Sequence, residues 1–104
     1  MALTSYTVDV LRLARADIDA NFDYMEEAYG MNAALDYTIA LTDAIDTLGD
    51  NPQRCPRFEP DLSELRRLIY RNHAVYFRLE GRDVLVLRVL HTSRDHEAEL
   101  QPSR

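Results

Sequence analysis

Along the first half of the chain, apolar side chains recur at steps of three and four. Leu11, Ala14, Ile18, Phe22, Met25 and Tyr29 form one stripe that stops at Gly30; Ala34, Thr38, Leu41, Ile45 and Leu48 form a second that stops at Gly49. That period puts each set on one face of an amphipathic helix, so the pattern predicts a helical hairpin with Asn32 as the N-cap of its second arm. Asp17, Asp19, Asp23, Glu26 and Glu27 occupy the other face of the first helix, where water solvates them. Ahead of the hairpin, Ser5-Tyr6-Thr7-Val8 reads as a short opening strand, because these residue types favour a pleated backbone.

From residue 65 onward the period shortens to two. Leu65 to Tyr70, His73 to Glu80 and Val84 to His91 read as strands, the last two joined by the tight turn Glu80-Gly81-Arg82-Asp83, and three strands in succession imply an antiparallel meander. In the second strand Val75, Phe77 and Leu79 alternate with Ala74, Tyr76 and Arg78. In the third, Leu85, Leu87 and Val89 alternate with Val84, Val86, Arg88 and Leu90. With the hairpin on the apolar face, strict alternation exposes Tyr76, Arg78, Val86, Arg88 and Leu90 on the opposite one, an apolar patch edged by guanidinium that calls for a covering partner. Residues 51–63 hold three of the four prolines and no periodicity, which predicts a loop; residues 96–104 read as a C-terminal tail.

A length of 104 residues with 46% hydrophobic side chains suits one domain spanning 1–104. No apolar run approaches a membrane span, and no basic stretch leads into one at the N-terminus, so a cytoplasmic protein is expected. The lone Cys55 has no partner for an internal disulfide. Net charge is −6, but unevenly spread: residues 1–50 carry ten acids and two arginines, whereas 66–94 carry seven arginines and two acids. Every basic side chain is arginine. The guanidinium fork favours directed contact with carboxylate or phosphate, although a compositional bias of the genome yields the same residues.

His91, Asp95, His96 and Glu99 are metal-ligand types, but their spacing matches no metal motif, and neither a metal nor a cofactor is expected. His91 with His96 or Glu97, helped by Arg94, has the makings of an acid–base pair for RNA cleavage; in the plainer reading His91 closes its strand and Arg94 pairs with Asp95. Of the tyrosines only Tyr70 and Tyr76 share the arginine-rich meander, which favours packing over base stacking.

The order of elements carries particular residues at its joints. They are Tyr6 and Val8, Ala16-Asp17-Ile18 and Tyr24, Ala34 and Leu48, Asn51-Pro52, Leu65-Arg66, the run His73-Ala74-Val75-Tyr76-Phe77-Arg78, and Val86-Leu87-Arg88-Val89-Leu90-His91 followed by Arg94-Asp95. In these the chain resembles the RelE/ParE toxin superfamily of bacterial toxin–antitoxin modules, and the last string looks like the ParE branch. The resemblance implies an α+β fold of order β-α-α-β-β-β, a helical hairpin packed on a small, mostly antiparallel sheet. It also implies the toxin of a type II module, poisoning DNA gyrase by binding and neutralised by a ParD-like antitoxin that is acidic and partly disordered. Arg94 and the tail from His96 to Arg104 are the expected target contacts. Against the antitoxin, Arg66, Arg67, Arg71, Arg78 and Arg88 would meet acids, and Tyr76, Val86 and Leu90 would dock apolar groups. Arg88 has a second reading, an internal pair with Asp17 or Glu64.

The alternative within the superfamily is a ribosome-dependent endoribonuclease of the RelE type, which would use His91, Arg94 and His96. Its residue set is incomplete: Ala74 falls where that branch's pattern has an arginine, no tyrosine follows Arg94, and the chain has no lysine. Hence no enzymatic activity is expected. A module that binds antitoxin without toxicity is a third reading.

Overall fold

The computed structural model describes residues 5–57 and 64–100. Strand β1 (Thr7–Val10) leads into helices α1 (Arg12–Tyr29) and α2 (Met31–Asp46), then β2 (Arg66–Tyr70), β3 (His73–Glu80), β4 (Asp83–His91) and a short helix α3 (His96–Leu100), with 3-10 turns at Thr47–Gly49 and Pro52–Arg54. The fold is α+β, three helices on a four-stranded mixed sheet of order β1-β4-β3-β2. β2, β3 and β4 are antiparallel neighbours, and β1 joins β4 in parallel, from Thr7 beside Asp83 to Val10 beside Val86.

One residue turns the hairpin. Gly30 ends α1 and starts α2 at φ 98°, donating its N–H to the Glu26 carbonyl and accepting from the Ala34 N–H through its own carbonyl. Asn32 is therefore inside α2 and not its cap, because a positive-φ glycine makes the reversal one residue long and leaves no room for a separate capping residue. Gly49 answers a different need: the Tyr6 N–H donates to its carbonyl at 2.9 Å, and a Cβ there would meet the Tyr6 carbonyl oxygen at 3.1 Å.

Ala14, Ile18, Leu41, Ile45 and Leu48 from the helical side meet Val75, Phe77, Val84, Val86 and Val89 from the sheet in the main core. Each large side chain buried there stabilises the fold by about 1.5–3 kcal/mol. The core also takes Cys55, whose thiol is pushed up in pKa by burial more than Arg54 and Arg66 draw it down. Tyr29, last of the first stripe, is exposed at the hairpin tip beyond the sheet's reach.

A bulge corrects the expected faces of β4. Tyr76 pairs with Arg88 but Phe77 pairs with Val86, leaving Leu87 as an extra residue. An added residue reverses which side chains point where, so Val84, Val86 and Val89 all reach the main core. Val86 is thus 0% exposed and lies on the helical side, not on an open face. Tyr76 and Leu90 do lie opposite the hairpin, yet they too are buried, at 0% and 1%. They form a second small cluster with Ala74, and Leu100 of α3 packs against it. Residues 96–100 are accordingly a helix docked on the sheet, where a tail was expected; 101–104 lie outside the described residues. The 51–63 loop opens with the 3-10 turn, and Arg57 bridges to Arg66, whereas 58–63 lie outside the described residues.

Candidate functional site

The β4 bulge delivers Arg88 to Asp17. Its Nε and Nη2 donate to Oδ2 and Oδ1 at 2.8 and 2.9 Å, and the Val89 N–H donates to Oδ2 at 2.9 Å. Both side chains are mostly buried, so this two-pronged pair is an internal fastener between α1 and β4, the internal pair of Arg88's second reading, and Asp17 is turned into the fold and not onto the solvated face expected of it. The hydrogen bonds to Asp17, against the cost of burial, raise the Arg88 pKa above its usual value.

Glu99 of α3 lies between Arg88 and Arg94. Its Oε1 is 3.7 Å from Arg88 Nη2, while Oε2 accepts from Arg94 Nε at 3.1 Å and pairs closely with Arg94 Nη2. The Arg94 side chain is nevertheless 52% exposed, the more accessible member of that pair. Asp95 opens α3 by accepting at Oδ1 from the Ala98 N–H at 3.4 Å. His96 sits between two partners: Nε2 is 2.8 Å from the His91 carbonyl, and Nδ1 contacts the Tyr76 hydroxyl. A carbonyl only accepts, so Nε2 donates to it, while Nδ1 pairs with the Tyr76 hydroxyl. The His91 Nδ1 accepts from the Ser93 N–H at 3.1 Å. The three residues His91, Arg94 and His96 are therefore gathered at one corner, with both ring nitrogens of His96 engaged in anchoring α3 and the guanidinium of Arg94 paired with Glu99 but half exposed.

The remaining predicted arginines spread along β2 and β3. Arg66 Nη1 donates to the Gln53 and Cys55 carbonyls at 3.2 and 2.7 Å. Arg67 Nη1 reaches the Tyr76 hydroxyl at 3.4 Å. Arg71, at φ 50° in the β2–β3 turn, lies over the Tyr70 ring 5.3 Å from its centroid. Arg78 pairs with Glu80 at 2.8 Å.

Two groupings escaped the sequence reading. At the other edge of the core, the Tyr37 hydroxyl and His73 Nδ1 are 2.6 Å apart, and the His73 ring meets His91 edge-on at 5.3 Å. Burial, then His91, lowers the His73 pKa from 6.5, and burial raises that of Tyr37. A histidine opening a strand was the available signal, and nothing in the sequence sets it beside Tyr37, 36 positions earlier. The second grouping is a cleft lined by Arg57, Glu64, Arg66, Arg78, Leu79 and Glu80. It brings together residues on both sides of the proline loop, and no local pattern announces that.

Comparison with known proteins places the chain as a whole. The family model described as ParE toxin of type II toxin-antitoxin system, parDE, matches residues 8–96. Toxin ParE1 of Caulobacter vibrioides is 33% identical over 89 residues, covering 86% of this chain and 92% of that protein. A solved structure titled Chromosomal ParDE TA system from P. aeruginosa superposes with a TM-score of 0.75 at 21% identity, over 85% of this chain and 97% of the other, a likeness of fold. With the family model matching residues 8–96, this chain belongs to the ParE toxin family of type II toxin–antitoxin systems.

Proposed function

We propose that this ParE-family toxin arrests growth by binding DNA gyrase in the cytoplasm, without chemistry of its own, and is held inactive by a ParD-like antitoxin. The observation that carries the reading is the C-terminal corner. His96 has both ring nitrogens engaged in holding α3, which removes one member of the nuclease set from acid–base work, while the half-exposed Arg94, paired with Glu99, stays available for contact. Arg94 and α3 are what that corner presents to a target. No helix among the described residues is long and apolar enough to cross a membrane, in keeping with a target in the cytoplasm.

Antitoxin contact fits the β2–β3 side, where Arg71 and Arg78 lie near the surface and Ile69 is 53% exposed. An acidic segment that orders on binding would match guanidinium with carboxylate there.

The test incubates antitoxin-free protein with gyrase, supercoiled plasmid and ATP, then denatures and looks for protein-linked linear DNA, with a translation reaction alongside. Linear product dependent on both proteins is expected. Cut messenger RNA without linear DNA would overturn the reading in favour of a ribonuclease. Replacing Arg94 by alanine should reduce growth arrest while antitoxin affinity stays within about threefold, or about 0.7 kcal/mol.

A further inference from the structure

β3 outruns β2: Arg66 pairs with Phe77, so Arg78, Leu79 and Glu80 project past the point where β2 begins. Arg57 and Glu64 flank the gap, and the result is a cleft of about 160 Å³. Its cations are held in two ways. Arg66 is fixed by neutral acceptors, the Gln53 and Cys55 carbonyls, and forms no ion pair among the described residues. Arg78 and Arg57 make ion pairs with Glu80 and Glu64 at 2.8 and 3.6 Å, with every one of those side chains at least 41% exposed. Such exposed pairs contribute about 0–1 kcal/mol each and exchange readily for a better-placed anion.

Among the described residues that line the cleft, three arginines against two glutamates leave one positive charge. A carboxylate balances that charge; a phosphate dianion would overshoot it. Leu79 supplies an apolar wall for the methylene stem of an acidic side chain, which free phosphate lacks. We propose that the cleft seats one glutamate or aspartate side chain of the antitoxin, its carboxylate on Arg66 with Arg57 and Arg78 closing from either side. This inference rests on the antitoxin reading above and specifies where an acid of the partner is received.

The experiment measures, by calorimetry, binding of the antitoxin encoded beside this toxin to the full chain. The Arg57→Gln, Arg78→Gln double variant keeps Arg66 and its carbonyl bonds, and should lose about tenfold in affinity with an unchanged melting temperature. Arg82→Gln, an equal loss of charge per site in the β3–β4 turn, should lose less than about twofold. Matching one arginine of the cleft against Gln substitutions of the antitoxin's acids should single out one acid whose effect vanishes in the double variant. A double variant that binds within about twofold of the parent, or loses no more than Arg82→Gln does, overturns the cleft while leaving the antitoxin reading intact. Failure of the unaltered toxin to bind that antitoxin overturns both.

Discussion

Arg88 is a cation inside a strand, and its environment shows why it is tolerated. Asp17 accepts both prongs of the guanidinium and the adjacent Val89 N–H, so the carboxylate has three donors in a mostly buried setting. Removing one partner leaves the other's charge buried without compensation. Arg88→Ala should therefore destabilise the fold by about 3 kcal/mol in urea denaturation, and Asp17→Asn by a similar amount, while the double replacement should cost less than the two added together. His73 makes the opposite demand, since it is buried neutral against Tyr37. Its folded pKa lies below the ordinary 6.5, so on acidification the unfolded chain takes up the proton first. Stability should be full above that value, fall as pH drops through it, and level off below the folded pKa; His73→Phe should flatten the profile in this window.

At the scale of elements, Gly30 governs how the two long helices meet. A φ of 98° is strained for any residue with a Cβ, and nothing crowds the site, so the cost of Gly30→Ala is purely conformational. It should be roughly 1–2 kcal/mol, a fall of several degrees in melting temperature. The helices and β3 were legible because their apolar periods carry into the core, Ala14, Ile18, Leu41, Ile45, Val75 and Phe77 falling where the pattern puts them, although the first stripe runs on past the core to Tyr29. β4 was not, because an alternating string carries no mark of where an extra residue interrupts it; Leu87 looks like its neighbours. Nor was α3, which has Leu100 as its apolar anchor and draws its stability from partners distant in sequence, Tyr76 and Arg88. The arginines of the candidate site could be listed from the sequence, but not sorted, since Arg88 turns inward and Arg57 joins the cleft only through tertiary placement.

Across the whole molecule the sheet is covered on both faces, by the hairpin on one and by α3 on the other. The second cover is slight, five residues over Ala74, Tyr76 and Leu90. Leu100→Asp should unseat it, raising fluorescence of a dye that reports exposed apolar surface and lowering stability by about 1–3 kcal/mol, with the hairpin side intact. Finally, the parallel pairing of β1 with β4 joins residue 7 to residue 83, and Asp17 waits 71 positions for Arg88. At about 5–20 residues per second of synthesis, the first strand is made several seconds before its partner leaves the ribosome. Truncated translation products lack β1's partner and cannot close the sheet. A cell making this chain is thus exposed to a folded toxin only after β4 has left the ribosome, and that interval is time in which an antitoxin already made can be waiting.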